Sequence, residues 1–351
     1  MLLVAFLSFN EHSPKEGTYM SKSTEYQLTF NTTYLRTEPS STVDREFSKV
    51  EGKCNNFNDR KNGGTPTWIM ELHSVYDLQG SMKLYLDGGV STHYMIDKDG
   101  TVYHIVPDVN RAYFAGMGSL KYGSKYNSTI SDDKLKGSNR EGELGKGSGD
   151  MNSWALGIMN VNDAVSTFTP EQVKANVYLH EKLVTDHNLN PKNILGHAEW
   201  APGRKIDPSP YYDWRALATA ADKYEDVDHN FGLYPTDVTL KGDPEVVASY
   251  KQTASSADVE QIQKQLEELG YSVLSPDEEN LGNYDQKTQN AVFSFSIRYL
   301  NEAITGNDGL LKLWNICCDD KADQTDARGI LSEWTENHEV VMGDILHQYG
   351  N

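Results

Sequence analysis

The stretch SWALGIMNVNDAVSTFTPEQVKANVYLHEKLVTDHNLNPKNILG, residues 153–196, decides the fold class of this chain. Its first ten residues have the composition of a strand. A helix is predicted next, because Thr169, Pro170 and Gln172 supply the N-cap, the first position and the third position of a capping box. A short buried strand, 193–196, follows this helix. Alternation of strands and helices indicates an α/β domain.

More strands are predicted upstream. TWIMELH (67–73) is a strand that ends in a histidine, and STHYMID (91–97) and TVYHIVP (101–107) are two further strands. Lys98-Asp99-Gly100 separates the last two, which is a strong hairpin signal. The α/β domain therefore spans residues 45–222.

The remaining segments differ in composition. Residues 1–44 begin with the apolar run MLLVAFLSF, continue as a polar stretch, and are predicted to be a loosely structured lead-in that holds the remnant of an export signal. Residues 119–150 are glycine-rich and indicate a surface insertion. Residues 223–257 have the turn chemistry of a linker. Apolar stripes at helical spacing in residues 258–351 predict a small all-α domain of three helices, and Leu331, Trp334, Val341 and Ile345 mark the third.

Composition limits the class of function. The 351 residues carry a formal net charge of −19, so nucleic acid is not an expected partner. No apolar run approaches the ~20 residues of a membrane span. The cysteines are Cys54, Cys317 and Cys318, without a CxxC motif, so a thiolate zinc site is not expected. A bridge from Cys54 to either of the others stays open.

Four polar residues form the candidate site. His73 and His197 each end a predicted strand, where α/β sheets gather ligand groups, and Asp207 follows in a segment that three prolines exclude from regular structure. Two imidazoles and one carboxylate make a catalytic zinc set with a fourth position open for water, whose pKa the metal lowers to about 7. Lys205 would stabilise an oxyanion beside it. On spacing alone, ordinary hydrogen-bonded histidines are the alternative.

The segment GHAEWAPGRKIDPSPYYDW (196–214) resembles the closing motif of the zinc-dependent N-acetylmuramoyl-L-alanine amidases, a family similar to the peptidoglycan recognition proteins. The resemblance covers about residues 54–218. Its upstream segments follow the family's order: NNFNDR (55–60), the strand ending in Leu72-His73, VSTHYMIDKDGTVYHIVP (90–107), RAYFAG (111–116), NSWALGIMNVN (152–162) and FTPEQ (168–172). In the tail, QIQKQLEELGY (261–271) and GNYDQKTQNAVFSF (282–295) are similar to the type-1 peptidoglycan-binding domain.

The resemblance implies a mixed central β-sheet flanked by helices, with zinc on His73, His197 and Asp207. It implies Lys205 as the cation that stabilises the transition state. The implied reaction is hydrolysis of the amide between N-acetylmuramic acid and L-alanine. Peptidoglycan or muropeptides would be the partner, and the location would be outside the cytoplasm.

Three positions depart from the family's pattern. Met159 stands where the best-matching active members have the glutamate that serves as general base, Phe114 replaces an imidazole, and Thr92 replaces the tyrosine of phage-type members. Glu71 is a candidate substitute base, because it leaves the same strand face as His73. Glu199 is a second candidate, and a hydrogen-bonded structural role is the alternative for both acids.

Two other readings follow from these departures. The chain could bind peptidoglycan without cutting it, although retention of all three implied ligands and Lys205 favours an enzyme. An unrelated zinc peptidase is a third reading, which the absence of an HExxH motif weakens.

Substrate contacts are predicted for Arg111 and Arg204, whose guanidinium groups suit stem-peptide carboxylates, with bracing of the loop as the alternative for Arg204. Trp200 and Tyr113 are predicted to stack on sugar or peptide. The hairpin histidines His93 and His104 are interpreted as structural. His180 and His187, on the predicted helix, are interpreted as solvated or packed.

Overall fold

A computed structural model describes residues 16–20, 27–31, 54–60, 65–118, 151–250, 255–301 and 332–349. The chain forms two compact units. Unit 1 comprises Met1–Gly116, Met151–Ile194 and Arg215–Gly232, and unit 2 comprises Met117–Asp150, Leu195–Trp214 and Leu233–Asn351. Segment 195–214 thus groups with the C-terminal helices, and the boundaries drawn from sequence at 222 and 257 stay predictions. The whole predicted insertion, residues 119–150, lies outside the described residues.

Unit 1 is built on a mixed β-sheet. The described strands before residue 197 are β1 Glu16–Met20, β2 Gln27–Asn31, β3 Phe57–Asp59, β4 Trp68–Ser74, β5 Tyr94–Ile96, β6 Val102–His104, β7 Asn110–Ala112, β8 Ala155–Val161 and β9 Ile194–Gly196, of which β9 runs from unit 1 into unit 2. Seven of them form one sheet in the order β1-β2-β6-β5-β8-β4-β9, and β3 pairs with β7. Strand β8 is parallel to both β4 and β5, whereas β5 and β6 are antiparallel. The mixed sheet and the β5–β6 hairpin confirm the prediction.

The central strands β4 and β8 are rich in apolar residues, as expected of strands that are buried on both faces. Every residue of β4 is buried, and in β8 only Met159 is partly exposed. The parallel register pairs Leu72 with Met159 and His73 with Asn160.

The described helices that begin before residue 224 are α1 Leu78–Asp87, α2 Met151–Trp154, α3 Pro170–His187, α4 His197–Trp200, α5 Trp214–Ala218 and α6 Ala220–Lys223. Helices α1, α2, α3 and α6 lie in unit 1 with the sheet, whereas α4 lies in unit 2. The capping box of α3 is confirmed, since the Thr169 hydroxyl accepts the Gln172 N–H over 3.1 Å and the Gln172 side chain accepts the Thr169 N–H over 3.3 Å. Asn188 ends α3 in the left-handed conformation, at φ 50°.

The lead-in prediction was wrong for residues 16–20 and 27–31. These residues form β1 and β2, which pair antiparallel with each other, and β2 is parallel to β6. The segments EGTYM and QLTFN are short and lie in a polar region, so their pairing with each other, and that of β2 with the distant strand β6, decides their structure.

Unit 2 contains the predicted C-terminal helices. They are α7 Ser256–Glu268, α8 Gln286–Tyr299 and α9 Glu336–Tyr349, with a 3₁₀ turn at Pro276–Glu278. Ser255 and Asp285 cap α7 and α8 as N-caps, and Gly270 ends the first of these helices at φ 99°. The helical prediction is confirmed.

Two details of unit 2 differ from the prediction. The third helix begins at Glu336, and Trp334 lies before it in β11 (Trp334–Thr335). Strand β11 pairs with β10, Val246–Ala248, so the predicted linker contributes a strand to this unit. Trp334 is fully buried, and its apolar side chain fits a strand as well as a helix, which is why periodicity did not distinguish them.

Two further predictions concern the whole chain. Among the described helices, none has the length and apolar character of a membrane span. Cys54 is buried and has a free thiol, whereas Cys317 and Cys318 lie outside the described residues. Burial raises the pKa of the Cys54 thiol.

Candidate functional site

Two of the predicted metal ligands contact each other in segment 196–214. His197 begins the single-turn helix α4, directly after β9. Its Nδ1 atom lies 2.9 Å from Oδ2 of Asp207, and both residues are buried. The Ala198 N–H also donates to the Asp207 carbonyl oxygen over 2.7 Å. Side-chain and backbone contacts thus hold the imidazole and the carboxylate against each other.

The chemistry of this pair fits zinc. Imidazole nitrogen and carboxylate oxygen are both zinc ligands, and two such atoms on one tetrahedral ion lie roughly 3.4 Å apart. The observed 2.9 Å requires only a small adjustment of either side chain. His73, the third predicted ligand, is the penultimate residue of β4 in unit 1 and is 8% exposed. Over the described ranges, no three His, Cys, Asp or Glu side chains form a metal-binding group, so the full set stays a prediction.

The Pro-Gly-Arg-Lys corner is a fixed turn. The N–H groups of Arg204 and Lys205 both donate to the Ala201 carbonyl oxygen over 3.0 Å. Gly203 has φ 83°, and a Cβ there would lie 2.3 Å from the Asn290 side chain. Only glycine therefore fits this corner. It sets the backbone of Lys205, which is half-buried, two residues before Asp207.

Glu199, the second candidate base, is engaged by three partners. Its Oε2 accepts the Gly196 N–H and Arg298 Nη1, each over 2.6 Å, and Oε1 accepts the Tyr271 hydroxyl over 3.3 Å. These contacts fit the structural role that was kept as the alternative. Sequence reasoning missed Arg298 and Tyr271, because 99 and 72 residues separate them from Glu199 and no local pattern links them.

Glu71, the first candidate base, is fully buried against helix α3. Its Oε1 lies 3.2 Å from Nε2 of His180, and its Oε2 accepts Asn160 Nδ2 over 2.8 Å. The Asn176 side chain in turn donates to Asn160 Oδ1 over 2.7 Å. The carboxylate of Glu71 thus belongs to a polar network in the core of unit 1.

The Glu71–His180 contact joins a buried carboxyl group to a buried imidazole. Nδ1 of His180 lies 2.8 Å from the Asn176 carbonyl oxygen, an acceptor, so this nitrogen carries hydrogen. Nε2 faces the carboxyl group, and a contact of 3.2 Å between them needs a proton as well. Burial lowers the pKa of His180 to about 4. His180 is therefore packed, in agreement with one of the two interpretations made from sequence.

The three positions that depart from the family's pattern have structural contacts. Met159 and Phe114 pack on an apolar cluster that includes Tyr85 of α1. A Cβ on Gly157 would lie 2.8 Å from the Phe114 ring, so the ring rests directly on the glycine backbone. The Thr92 hydroxyl donates to the Gly157 carbonyl oxygen over 2.8 Å. Neither Met159 nor Phe114 supplies a titratable group.

The predicted substrate residues differ in their exposure. Arg204 is exposed and its guanidinium donates to the Met117 carbonyl oxygen, over 2.9 Å from Nε, which fits the bracing alternative. Arg111 lies 5.1 Å from the centroid of the Tyr113 ring, and both are partly exposed. Trp200 has no exposed surface, so in this conformation it offers no face for stacking, and its role is that of a core residue.

The hairpin histidines have structural surroundings. His93 is fully buried, its Nδ1 accepts the Gly157 N–H over 3.0 Å, and its Nε2 lies 2.8 Å from Arg60 Nη2. Burial, and then the charge of Arg60, lowers the pKa of His93 to about 3. The His104 ring stacks on Tyr94 with centroids 4.5 Å apart. His187 on α3 contacts the partly buried Asp108, with Nε2 lying 2.7 Å from its Oδ2 atom.

Two family models match this chain. The first, described as "N-acetylmuramoyl-L-alanine amidase", matches residues 47–210. The second, described as "Putative peptidoglycan binding domain", matches residues 255–295. The first range contains all residues of the candidate metal set, and the second contains α7 and most of α8.

Similar proteins carry related names. A "Putative N-acetylmuramoyl-L-alanine amidase" from Rickettsia conorii is 30% identical over 248 residues, which are 68% of this chain and 77% of the relative. The N-acetylmuramoyl-L-alanine amidase AmiD of Escherichia coli is 25% identical over 158 residues, 43% of this chain and 51% of that protein. A solved complex of AmiD from E. coli with the substrate anhydro-N-acetylmuramic acid-L-Ala-D-gamma-Glu-L-Lys superposes with a TM-score of 0.50 at 18% identity, covering 81% of this chain and 90% of that one. This likeness supports the α/β fold.

Proposed function

Since the chain belongs to the N-acetylmuramoyl-L-alanine amidase family, we propose that it hydrolyses the amide bond between N-acetylmuramic acid and the L-alanine of the peptidoglycan stem peptide. The buried contact between His197 and Asp207 carries this proposal. It lies in the segment that the amidase family model matches, and it joins two groups of the implied metal set.

Zinc is the cofactor that this donor set suits. His73, His197 and Asp207 would hold it, leaving one position for water in the manner of catalytic sites. When bound, zinc would supply a water of lowered pKa and polarise the scissile carbonyl.

The residues of the chain have separate roles in this proposal. Lys205 stabilises the negative charge that develops on the carbonyl oxygen, since a fixed cation near that oxygen favours the transition state over the ground state. Arg111, which is partly exposed, pairs with a carboxylate of the stem peptide. Arg204 can do so only from its exposed edge, because part of its guanidinium is bonded to the Met117 carbonyl oxygen.

The partner is peptidoglycan or its muropeptide fragments. The second family model, a peptidoglycan-binding module, matches the helical part of the chain and points to the same polymer as the amidase model. An enzyme that acts on this polymer works outside the cytoplasm, in the periplasm, the cell envelope or the medium, and we propose that location here.

Proton transfer is the step in which this chain departs from the family's pattern. Met159 has no proton-accepting group, and a general base contributes about 10²–10⁴-fold. Hydrolysis without that base is therefore expected to be slow, with Lys205 and the metal supplying most of the stabilisation.

A glutamate in place of Met159 is expected to raise kcat. Met159→Glu places a carboxylate at the family's base position, and the gain over Met159→Gln is expected to be about 10²-fold, the lower limit for general-base help. Met159→Gln is the matched control, because glutamine is close to glutamate in size and is also polar, but has no carboxyl group that could accept a proton. Steady-state rates on a purified muropeptide measure the difference. Equal rates for the two variants would show that position 159 has no access to the reacting water.

The catalytic role of Glu71 stays a proposal, and its contacts with His180 and Asn160 weigh against it. Glu71→Gln can donate to His180 Nε2 and accept from Asn160, so we expect a kcat and a melting temperature close to those of the wild type. If Glu71 were the general base, Glu71→Gln would instead lower kcat by about 10²–10⁴-fold without lowering the melting temperature. That loss would identify Glu71 as the substitute for the missing glutamate.

The function itself is tested on muropeptides. Zinc-loaded protein incubated with muramyl peptide is expected to release free stem peptide, detected by mass spectrometry, with His73→Ala as the inactive control. If no product appeared above that control while the protein still bound peptidoglycan, the protein would be one that binds peptidoglycan without cutting it. Cleavage of a plain peptide but not of the muramyl peptide would indicate a peptidase.

A further inference from the structure

In unit 2, the segment that carries His197, Lys205 and Asp207 is bonded to helix α8 through Glu199. The carboxylate of Glu199 accepts the N–H of Gly196, the residue directly before His197, over 2.6 Å. The same oxygen, Oε2, accepts Arg298 Nη1 over 2.6 Å. Glu199 thus transmits the position of an α8 side chain to the backbone at His197.

Arg298 is held rigidly on its own side of this contact. It is 2% exposed, its guanidinium carbon lies 4.0 Å from the Trp214 ring centroid, and Nη2 donates to the Leu233 carbonyl oxygen over 3.2 Å. Burial lowers the pKa of Arg298, but the charge and hydrogen bond of Glu199, together with Tyr299 and Tyr271, more than offset burial, so the net shift of this pKa is upward. A charged, planar and stacked guanidinium restricts where the Glu199 carboxylate can lie.

Two other residues near α8 bind the same segment. The Ser294 hydroxyl donates to the Ala198 carbonyl oxygen over 2.8 Å, and the N–H of Ala198 is the donor to the Asp207 carbonyl oxygen. Asn301, which follows α8, donates from its side chain to the Tyr212 carbonyl oxygen over 3.1 Å. Arg298 therefore acts through Glu199 on Gly196, the residue before His197. Ser294 acts directly on Ala198, the residue after His197, which is bonded to Asp207.

We propose that Arg298 is a positioning residue of the amidase site, which through Glu199 fixes the backbone that presents His197 and Asp207. Ser294 lies in the range 255–295 that the peptidoglycan-binding model matches, and Arg298 lies three residues beyond that range on the same helix. Helix α8 thus braces residues 196–207, the segment that carries His197, Lys205 and Asp207. The inference rests on the proposed function for its consequence in catalysis. Its structural content, the order of residues 196–207, can be measured separately.

The test removes the guanidinium group of Arg298 and measures the order of residues 196–207 directly. Arg298→Met is expected to speed hydrogen exchange of backbone amides in residues 196–207 of the metal-free full-length chain, and to weaken zinc binding about tenfold or more, the range seen when groups that orient metal ligands are removed. Ile297→Ala is the matched control, since Ile297 is a buried residue of the same helix and its loss costs stability without touching the Glu199 carboxylate. It should leave both quantities near their wild-type values.

A double variant isolates the route through Glu199. In a Glu199→Gln background, Arg298→Met should weaken zinc binding much less than it does alone, because the two side chains act through one contact. Unchanged exchange in residues 196–207, or a zinc Kd no weaker than that of Ile297→Ala, would overturn the proposal. If the wild-type chain bound no zinc, the proposed cofactor would fail, and the exchange data alone would decide whether Arg298 positions the segment.

Discussion

Replacing His197 by alanine is expected to abolish zinc binding and reduce product release to the level of His73→Ala. The imidazole of His197 is one of three implied ligands and lies 2.9 Å from the carboxylate of another, Asp207. Two remaining ligands do not make the three-residue set that holds catalytic zinc. Metal content after dialysis, measured by inductively coupled plasma mass spectrometry, and stem-peptide release give the two readouts.

A stability readout separates loss of metal from loss of fold. A ligand that binds only the folded state at 100 times its Kd adds about 2.7 kcal/mol to the free energy of unfolding. Zinc should therefore raise the melting temperature of the wild type and of His347→Ala, an exposed control on α9, but not that of His197→Ala. Zinc retained by His197→Ala in a one-to-one ratio would contradict the assignment.

The sequence predicted those elements whose signals are local. Helix α3 begins at a capping box, and the β5–β6 hairpin turns at Gly100, whose φ of 81° suits glycine. Strands β1 and β2 were missed because a five-residue polar strand has no signal of its own. Strand β2 pairs with β6, about 70 residues away in sequence, and β1 pairs with β2, and periodicity encodes neither partner.

The candidate site shows the same division. The contact between His197 and Asp207 follows from a short motif, in which the two residues lie ten positions apart. The burial of Trp200 and the ion pair between Glu199 and Arg298 depend on packing within unit 2, to which segments far apart in the sequence contribute. An aromatic residue beside a metal ligand is equally compatible, in sequence, with substrate stacking and with the core.

The absence of a carboxylate at position 159 changes what the remaining groups must do. Phe114 and Met159 both pack on the apolar cluster of unit 1, and neither supplies a group that could accept a proton. Because no general base at position 159 helps to lower the barrier, the rate should depend more strongly on Lys205 than it does in a family member that has such a base.

Removal of the charge of Lys205 is accordingly expected to lower kcat by about 10²–10³-fold, the cost of losing one oxyanion-stabilising group. Lys205→Met is the variant of choice, because it keeps a side chain of similar length and leaves intact the backbone N–H that donates to Ala201. KM should change little, since a group that acts only on the transition state lowers kcat and kcat/KM together.

Zinc content and the melting temperature should stay at wild-type values in Lys205→Met, because the ammonium group is not a ligand in the proposed site. Lys205→Arg, which keeps the charge but spreads it over a planar group, should recover part of the lost rate. A rise in KM at constant kcat would instead make Lys205 a substrate-binding residue. An unchanged rate would remove it from the site, and the catalytic reading would then depend on the metal ligands alone.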